Sequence, residues 1–422
     1  MDAVSSPPSA APRIGTSEIE VRPFAGSLRD WLDAVSIPFG FRVTLEDLPL
    51  FESSMELDRA LAAYAGDRIV GTANAFSFDL AIPGGTLPAA GVTMVGVHPT
   101  HRRRGILTRM MRAQLAEIRE RGEPLAILWA SEAPIYGRFG YGIATYRASF
   151  ELPKARAAFR QSEAPRGTFR LVEPDEAEGI FPEIYRRSAP LRAGAFSRSP
   201  GFWRTEFFHD PERWRRGGGP AFFLLHETDG TADGYARYRL HADWDERGPK
   251  AVIDISEALA STPAAERELW EYLFAVDLTE TARAHNIPVD APLRFWLTDP
   301  RALGLTVSDA LWLRIVDLPA ALAGRGYAAI DHLVLDVSDP FCDWNSGRWL
   351  LDAGADGARV TGSDLAPDLE LKITELGSVY LGGTSFAELA LAERIAERSS
   401  GAVERADALF RTSLAPWAPG MF

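Results

Sequence analysis

Cysteine is almost missing from this chain: Cys342 is the only one in 422 residues. That excludes an intramolecular disulfide and any cysteine metal cluster, and it makes a reducing cytoplasm the expected compartment. Long apolar runs are missing too. No stretch of about 18 uninterrupted apolar residues occurs, so no transmembrane helix and no membrane partner are expected. The opening "MDAVSSPPSAAPRIGTSE" has neither the basic n-region nor the apolar h-region of a secretion signal. Its Pro, Ser and Ala content reads as a disordered arm over residues 1–16. Positive charge is in deficit, with 45 Lys and Arg against 58 Asp and Glu and a formal net charge of -13. Nucleic-acid binding needs a basic face and is argued against. A cationic small substrate is compatible with this balance, and so is a charge that serves solubility alone. No H-E-x-x-H or comparable ligand cluster occurs, so no metal is expected. There is no G-x-S-x-G nucleophile elbow, no Walker A loop and no Rossmann G-x-G-x-x-G.

What is present is a chain long enough for two or three domains, 46% apolar, with a sizeable core to bury. "SEIEVRPF" reads as a strand, and "SLRDWLDAVSIPFGF" as a helix that breaks at Pro38. "DRALAAYAGDRIVGTANAFSFDLAIPGGTLPAAGVTMVGVHP" reads as a meander of strands, with "AGDR" and "IPGG" as turns. From Gly105 the period changes. Leu107, Met111, Leu115 and Ile118 share one helical face, and Gly122 is placed to end the helix. "LAILWA" is a buried-type strand, and "YGIATYRASFEL" alternates as another. "LPKARAAFRQSEAPRGTF" reads as a linker. Beyond it lie the aromatic-rich helical stretch "SPGFWRTEFFHDPERWRR", a hairpin around "TDGTADG" and the helix "STPAAERELWEYLFAVD". A third region opens near "DALWLRIVDLPAAL". In it "ELGSVYLGG" reads as a strand and turn and "SFAELALAERIAER" as a helix.

The chemistry concentrates in "VHPTHRRRGILTRMM", residues 97–111. At a strand-to-helix junction, backbone N–H groups point into the loop and carry the positive end of the helix dipole. An anion such as a pyrophosphate can be held there, with Gly105 allowing close approach and Arg102, Arg103 and Arg104 adding charge. Taken alone, the stretch reads equally as a solvated basic turn. His98 and His101 flank it, and His98, before a proline at the strand end, reads as structural. Downstream, "ASEAPIYGRFGYG" places Tyr136 before a glycine, either as a core aromatic or as a phenol able to lend a proton.

"VTMVGVHPTHRRRGILTRMM" resembles the signature of GNAT acetyltransferases, and with "LWASEAPIYGRFGYG" it is similar to the Eis (enhanced intracellular survival) family of bacterial N-acetyltransferases. The resemblance extends to "ALWLRIVDLPAAL" and "LGSVYLGG" in the last third. It departs from the GNAT signature at Leu107, where Gly or Ala is usual, a departure shared with the Eis subgroup. What it implies is an α/β (α+β) fold. Tandem GNAT-like domains with mixed sheets precede a sterol carrier protein-like domain. The implied division is 17–150 catalytic, 151–305 a second, degenerate GNAT-like domain, and 306–422 sterol carrier-like with a tail entering the active site.

The resemblance further implies acetyl-CoA as co-substrate and acetyl transfer to a primary amine in a ternary complex. Val95, Gly96 and Val97 would pair with the pantetheine arm, and Arg103, Arg104, Gly105, Ile106, Leu107 and Thr108 would wrap the pyrophosphate. Ser131 and Glu132 would lie beside the cofactor. Tyr136 would be the general acid, and the terminal carboxylate of Phe422 the general base, a role open to a carboxylate raised by desolvation. The apolar "PWAPGMF" suits a docked tail. An aminoglycoside or other polyamine is the implied acceptor, and with it antibiotic resistance, in a cytoplasmic homohexamer. The acids that hold such amines in the family are not matched here: Met421 precedes the terminus, and Glu46 and Asp47 do not align clearly. Protein lysine or a hydrophobic secondary-metabolite amine therefore stay open as acceptors. A non-catalytic carrier of an apolar ligand is the alternative from another class.

Overall fold

The computed structural model describes residues 18–160, 166–354 and 357–422. The arm expected over 1–16 and the centre of the expected linker lie outside the described residues. Among the described residues, no helix is long and apolar enough to cross a membrane.

The first sheet has seven strands in the order β1-β2-β3-β4-β5-β16-β6. Its members are β1 (Ile19–Pro23), β2 (Leu61–Ala65), β3 (Arg68–Ile82), β4 (Gly85–Val97), β5 (Leu125–Trp129), β6 (Gly142–Ile143) and, from far along the chain, β16 (Leu311–Ile315). Helix α1 (Leu28–Phe39) starts at a capping box, Ser27 with Asp30, and α2 (Leu48–Ser54) follows it. Pro38 does not break α1: it sits in the last turn, and Gly40 at φ 71 ends the helix. Helix α3 (Ile106–Glu120) lays Met110, Met111, Leu115 and Ile118 onto the sheet, and Gly122 at φ 75 closes it. The short helix α4 (Ala133–Tyr136) follows β5.

The second sheet also has seven strands, in the order β15-β7-β14-β13-β10-β9-β8. They are β7 (Tyr146–Pro153), β8 (Gly167–Val172), β9 (Phe222–Thr228), β10 (Thr231–His241), β13 (Ala251–Ala260), β14 (Thr279–Ile287) and β15 (Thr306–Asp309), with a two-residue hairpin of β11 (Trp244–Asp245) and β12 (Gly248–Pro249) between. The β9–β10 turn is Asp229–Gly230, both at positive φ, as a two-residue hairpin loop requires. Helices α5 (Pro174–Ser188) and α7 (Pro263–Ala275) cover it. The stretch between them begins as α6 (Pro200–Phe202) and continues as a π-helix over Trp203–Phe208 rather than one regular helix.

The two sheets have the same plan. In each, one parallel pair (β4 with β5, β13 with β14) sits among antiparallel neighbours. They also exchange strands. The run expected as one strand after Gly142 splits: β6 stays in the first sheet and β7 crosses to pair with β14 in the second. In return β16 leaves β15 and inserts between β5 and β6. The expected boundary at 150/151 thus falls inside β7, and the strands on both sides of Ala310 belong to the two earlier sheets.

The third sheet, β19-β18-β17-β20-β21, comprises β17 (Asp331–Ser338), β18 (Gly347–Gly354), β19 (Gly357–Gly362), β20 (Leu369–Lys372) and β21 (Ala396–Glu397). Two expectations fail here. "ELGSVYLGG" is not a strand: Ile373–Val379 is a helix lying on β16, where a Cβ on Gly377 would stand 2.7 Å from the Leu313 carbonyl oxygen. "SFAELALAERIAER" is helical only over Phe386–Leu391, and the sequence reading missed the helix Ala402–Phe410. One apolar core joins this unit to the first sheet, from Phe76, Phe78 and Leu80 through Leu311 and Leu313 to Leu333 and Leu335.

Candidate active site

Strands β4 and β5 pair only over Ala89–Gly91 and Leu125–Ile127. Beyond Gly91 they part. The parting coincides with a bulge in β4, where the register against β3 jumps between Thr72 and Asn74, and Met94 takes φ 53. Thr72 Oγ1 donates to the Met94 carbonyl at 2.9 Å and holds that conformation. A bulge re-aims a strand, and the backbone of Val95, Gly96 and Val97 turns into the opening. The result is a cleft of about 580 Å³ between the strand ends, the start of α3 and α4.

The loop that enters α3 leaves backbone donors without partners at the mouth of the cleft. The N-cap is Gly105, at φ 73, and no side chain caps the helix. The helical ladder begins only with the Arg109 N–H on the Gly105 carbonyl, so the amides of Ile106, Leu107 and Thr108 face the cleft end with the helix dipole behind them. A Cβ placed on Gly105 would meet nothing within 4 Å, so the protein's own atoms do not fill the space that these donors face. Arg103 is also in the left-handed region, at φ 62, a conformation that costs a non-glycine residue about 1 kcal/mol or more. Arg102, Arg103 and Arg104 are exposed and make no ion pair with any described carboxylate. His98 is tied into the scaffold: its Nε2 accepts from Arg68 at 2.8 Å, which leaves Nδ1 to donate to Thr100 Oγ1 at 2.7 Å. Partial burial and then the neighbouring cations hold both His98 and His101 below the usual imidazole range: Arg68 beside His98, Arg104 and Arg68 beside His101.

The far wall is α4. Tyr136 is buried in its ring and packs edge-on against Tyr141 at 5.9 Å, yet its hydroxyl makes no hydrogen bond within the described residues. Burial, and then the carboxylate of Glu132, push its pKa up, which keeps the phenol protonated. Of the residues singled out from sequence, Val95, Gly96, Val97, Arg103, Gly105, Ile106, Leu107, Thr108, Ser131, Glu132 and Tyr136 line this one cleft. Arg104 lies outside its lining. The sequence reading missed Pro38, Phe39, Ile135 and Arg138, which also line it. Pro38 and Phe39 arrive only because α1 packs across β4, which no local pattern announces.

Phe422 is not in the cleft wall. Its ring lies on the other face of β4, 3.3 Å from where a Cβ on Gly91 would stand, at the point where β4 and β5 part. There it packs edge-on against Phe78 at 5.0 Å, Phe196 at 5.2 Å and Phe76 at 6.5 Å. The tail before it is clamped by the second sheet's unit. Trp417 N–H donates to Ala193 O at 2.8 Å, Trp417 Nε1 to Asn286 Oδ1 at 3.0 Å, and Arg198 Nη2 to Pro419 O at 2.8 Å.

Comparison with known proteins gives the following. Residues 24–144 match an Acetyltransferase (GNAT) domain family, residues 194–315 a second Acetyltransferase (GNAT) domain family, and residues 318–419 a Sterol carrier protein domain. An uncharacterized N-acetyltransferase of Streptomyces avermitilis is 41% identical, over 93% of this chain and 96% of its own. N-acetyltransferase Eis of Mycobacterium bovis is 38% identical, over 83% of this chain and 85% of its own. The crystal structure of Eis1 from Mycobacterium abscessus superposes with a TM-score of 0.82 at 32% identity, covering 96% of this chain and all of that one.

Proposed function

The chain belongs to the Eis family of GNAT N-acetyltransferases, and from that premise we propose that it transfers acetyl from acetyl-CoA to the primary amine of a cationic small molecule, in the cleft between β4 and β5. The observation that carries this reading is the conjunction of three features in one cavity: an uncapped helix N-terminus with free arginines, an opened parallel strand pair, and a protonated, unbonded phenol.

The residues fit the co-substrate. Arg103 and the amides of Ile106 to Thr108 would hold its pyrophosphate, and the backbone of Val95 to Val97 would pair with its amide-bearing arm. Acetyl-CoA supplies, when bound, an acetyl group already activated as a thioester. The N–H groups beside the Met94–Val95 bulge donate to the carbonyl oxygen as it gains charge. Tyr136 holds its proton at Oη for the sulfur that leaves. The Phe422 carboxylate, carried under the strand opening by the clamped tail, takes a proton from the substrate ammonium. The division of the chain into a catalytic unit, a second unit and a sterol carrier-like unit, a homohexameric assembly and a cytoplasmic location belong to the same proposal.

For the acceptor, one observation favours an amine with an apolar body. Ile37, Phe39, Phe41 and Leu45 are exposed together at the end of α1, and Phe39 reaches the cleft. The test is thiol release from acetyl-CoA across polyamines, lysine peptides and hydrophobic amines, with light scattering for the oligomer. Absence of turnover with every amine, in a protein that binds coenzyme A, would favour the carrier reading instead.

A further inference from the structure

The second sheet repeats the strand opening of the first. β13 and β14 pair only from Ala251 opposite Thr279 to Ile255 opposite Ala284. Past Ile255 they separate: β13 continues along β10, with a register break at Ser256, and β14 continues along β7. The gap holds a cavity of about 410 Å³, in the position that the acetyl-CoA cleft occupies in the first sheet. Its chemistry is the reverse of that cleft's. The helix that follows, α7, is capped by its own Thr262, whose Oγ1 accepts from the Ala265 amide at 3.2 Å, and its first turn carries Glu266. An arginine in the wall, Arg192, is committed to Asp290 at 2.6 Å and to the Ala415 carbonyl at 2.9 Å. A phosphate there would meet an occupied helix end and a carboxylate, so this cavity does not suit a coenzyme A.

It suits a cation with an apolar body. Glu266 and Trp270 stand one turn apart on α7 and both line the cavity, as do Trp296 and Trp417. The Glu266 carboxylate has no hydrogen-bond or ion-pair partner within contact distance among the described residues. Burial raises its pKa, Asp290 adds to that, and Arg192 opposes it. A half-buried carboxylate without a contact partner loses part of its hydration, and an ammonium beside it would offset that cost. The indole faces supply the apolar and π surface that organic cations take. We propose that the opening between β13 and β14 is a second ligand site, taking a small amphipathic primary amine with its ammonium on Glu266 and its body among Trp270, Trp296 and Trp417.

Calorimetric titration of the full chain with tryptamine, in saturating coenzyme A and without acetyl donor, tests this. Wild type is expected to show two classes of site, one of them the acceptor site. Glu266→Gln keeps size and shape, and it should weaken one class by about tenfold or more, the effect of losing a charged hydrogen bond. Tryptophol, the neutral alcohol of the same shape, should not fill that class in wild type. No tryptamine binding in wild type, binding that Glu266→Gln leaves unchanged in every class, or equal binding of tryptophol each overturns the proposal, whether one class or two is seen. The readout is binding and not turnover, so a failure of the transferase reading would leave this signal intact. Loss of this class with transfer intact would touch only the present proposal.

Discussion

Converting the C-terminal carboxylate to an amide at native length is the sharpest perturbation the fold offers. The tail is held before the last three residues: the Ala415 and Trp417 N–H groups donate to Asp290 and to the Ala193 carbonyl, and the Ala418 and Pro419 carbonyls accept from Asn286 and Arg198. The Phe422 ring adds three edge-on aromatic contacts, at 5.0, 5.2 and 6.5 Å, each of a kind worth about 0.5–1.5 kcal/mol beyond burial. Amidation touches none of these, so docking and melting temperature should stay at their native values. If the carboxylate is the base, kcat/KM should fall by about 10²-fold or more, the usual share of general acid–base catalysis, equal to about 2.7 kcal/mol in the barrier. Deleting Phe422 draws the carboxylate back by up to about 3.5 Å and also removes the ring contacts. That variant should lose as much rate and some stability. The assay is thiol release at saturating acetyl-CoA, with coenzyme A affinity by calorimetry and melting by circular dichroism. An amidated enzyme that turns over at the native rate refutes the reasoning and moves the base to another group, Glu132 or a water.

Tyr136→Phe should keep the ring against Tyr141 and lower kcat about 10²-fold with coenzyme A binding unchanged. The raised pKa of Tyr136 also places the alkaline loss of wild-type activity above the ordinary phenol range, because the acid works only while protonated, and a pH–rate profile reads this directly. Gly105→Glu should abolish coenzyme A binding by calorimetry, whereas Gly105→Asn, which tolerates φ 73, should retain the fold and part of the affinity. Arg314→Met leaves the Asp339 carboxylate buried without its partner, with both side chains fully buried and 2.5 Å apart, and should cost about 3–5 kcal/mol in denaturant unfolding.

The seam over the cleft was legible because it is contiguous. A strand, an arginine–glycine loop and an amphipathic helix follow one another over residues 92–120, and each is fixed by local periodicity and backbone preference. The Tyr136 stretch was legible through its resemblance to a family, since a lone tyrosine before glycine says little by itself. The exchange of β7 and β16 was not legible. β7 alternates and β16 is a short, wholly buried run, and either pattern specifies a strand without naming its sheet. The helix Ile373–Val379 was misread for a related reason. Its β-branched residues favour a strand and its glycine disfavours a helix locally, but the helix forms because Gly377 lets it lie close against β16. Sequence thus singled out most of the residues that line the cleft. Tertiary structure decided that Phe39 joins them, that Arg104 stands aside, and that a tail clamped by a second, differently charged copy of the same architecture brings the chain terminus beneath them. Those facts depend on contacts between residues far apart in the chain, from α1 against β4 to the tail against the second sheet's unit, and no local pattern encodes them.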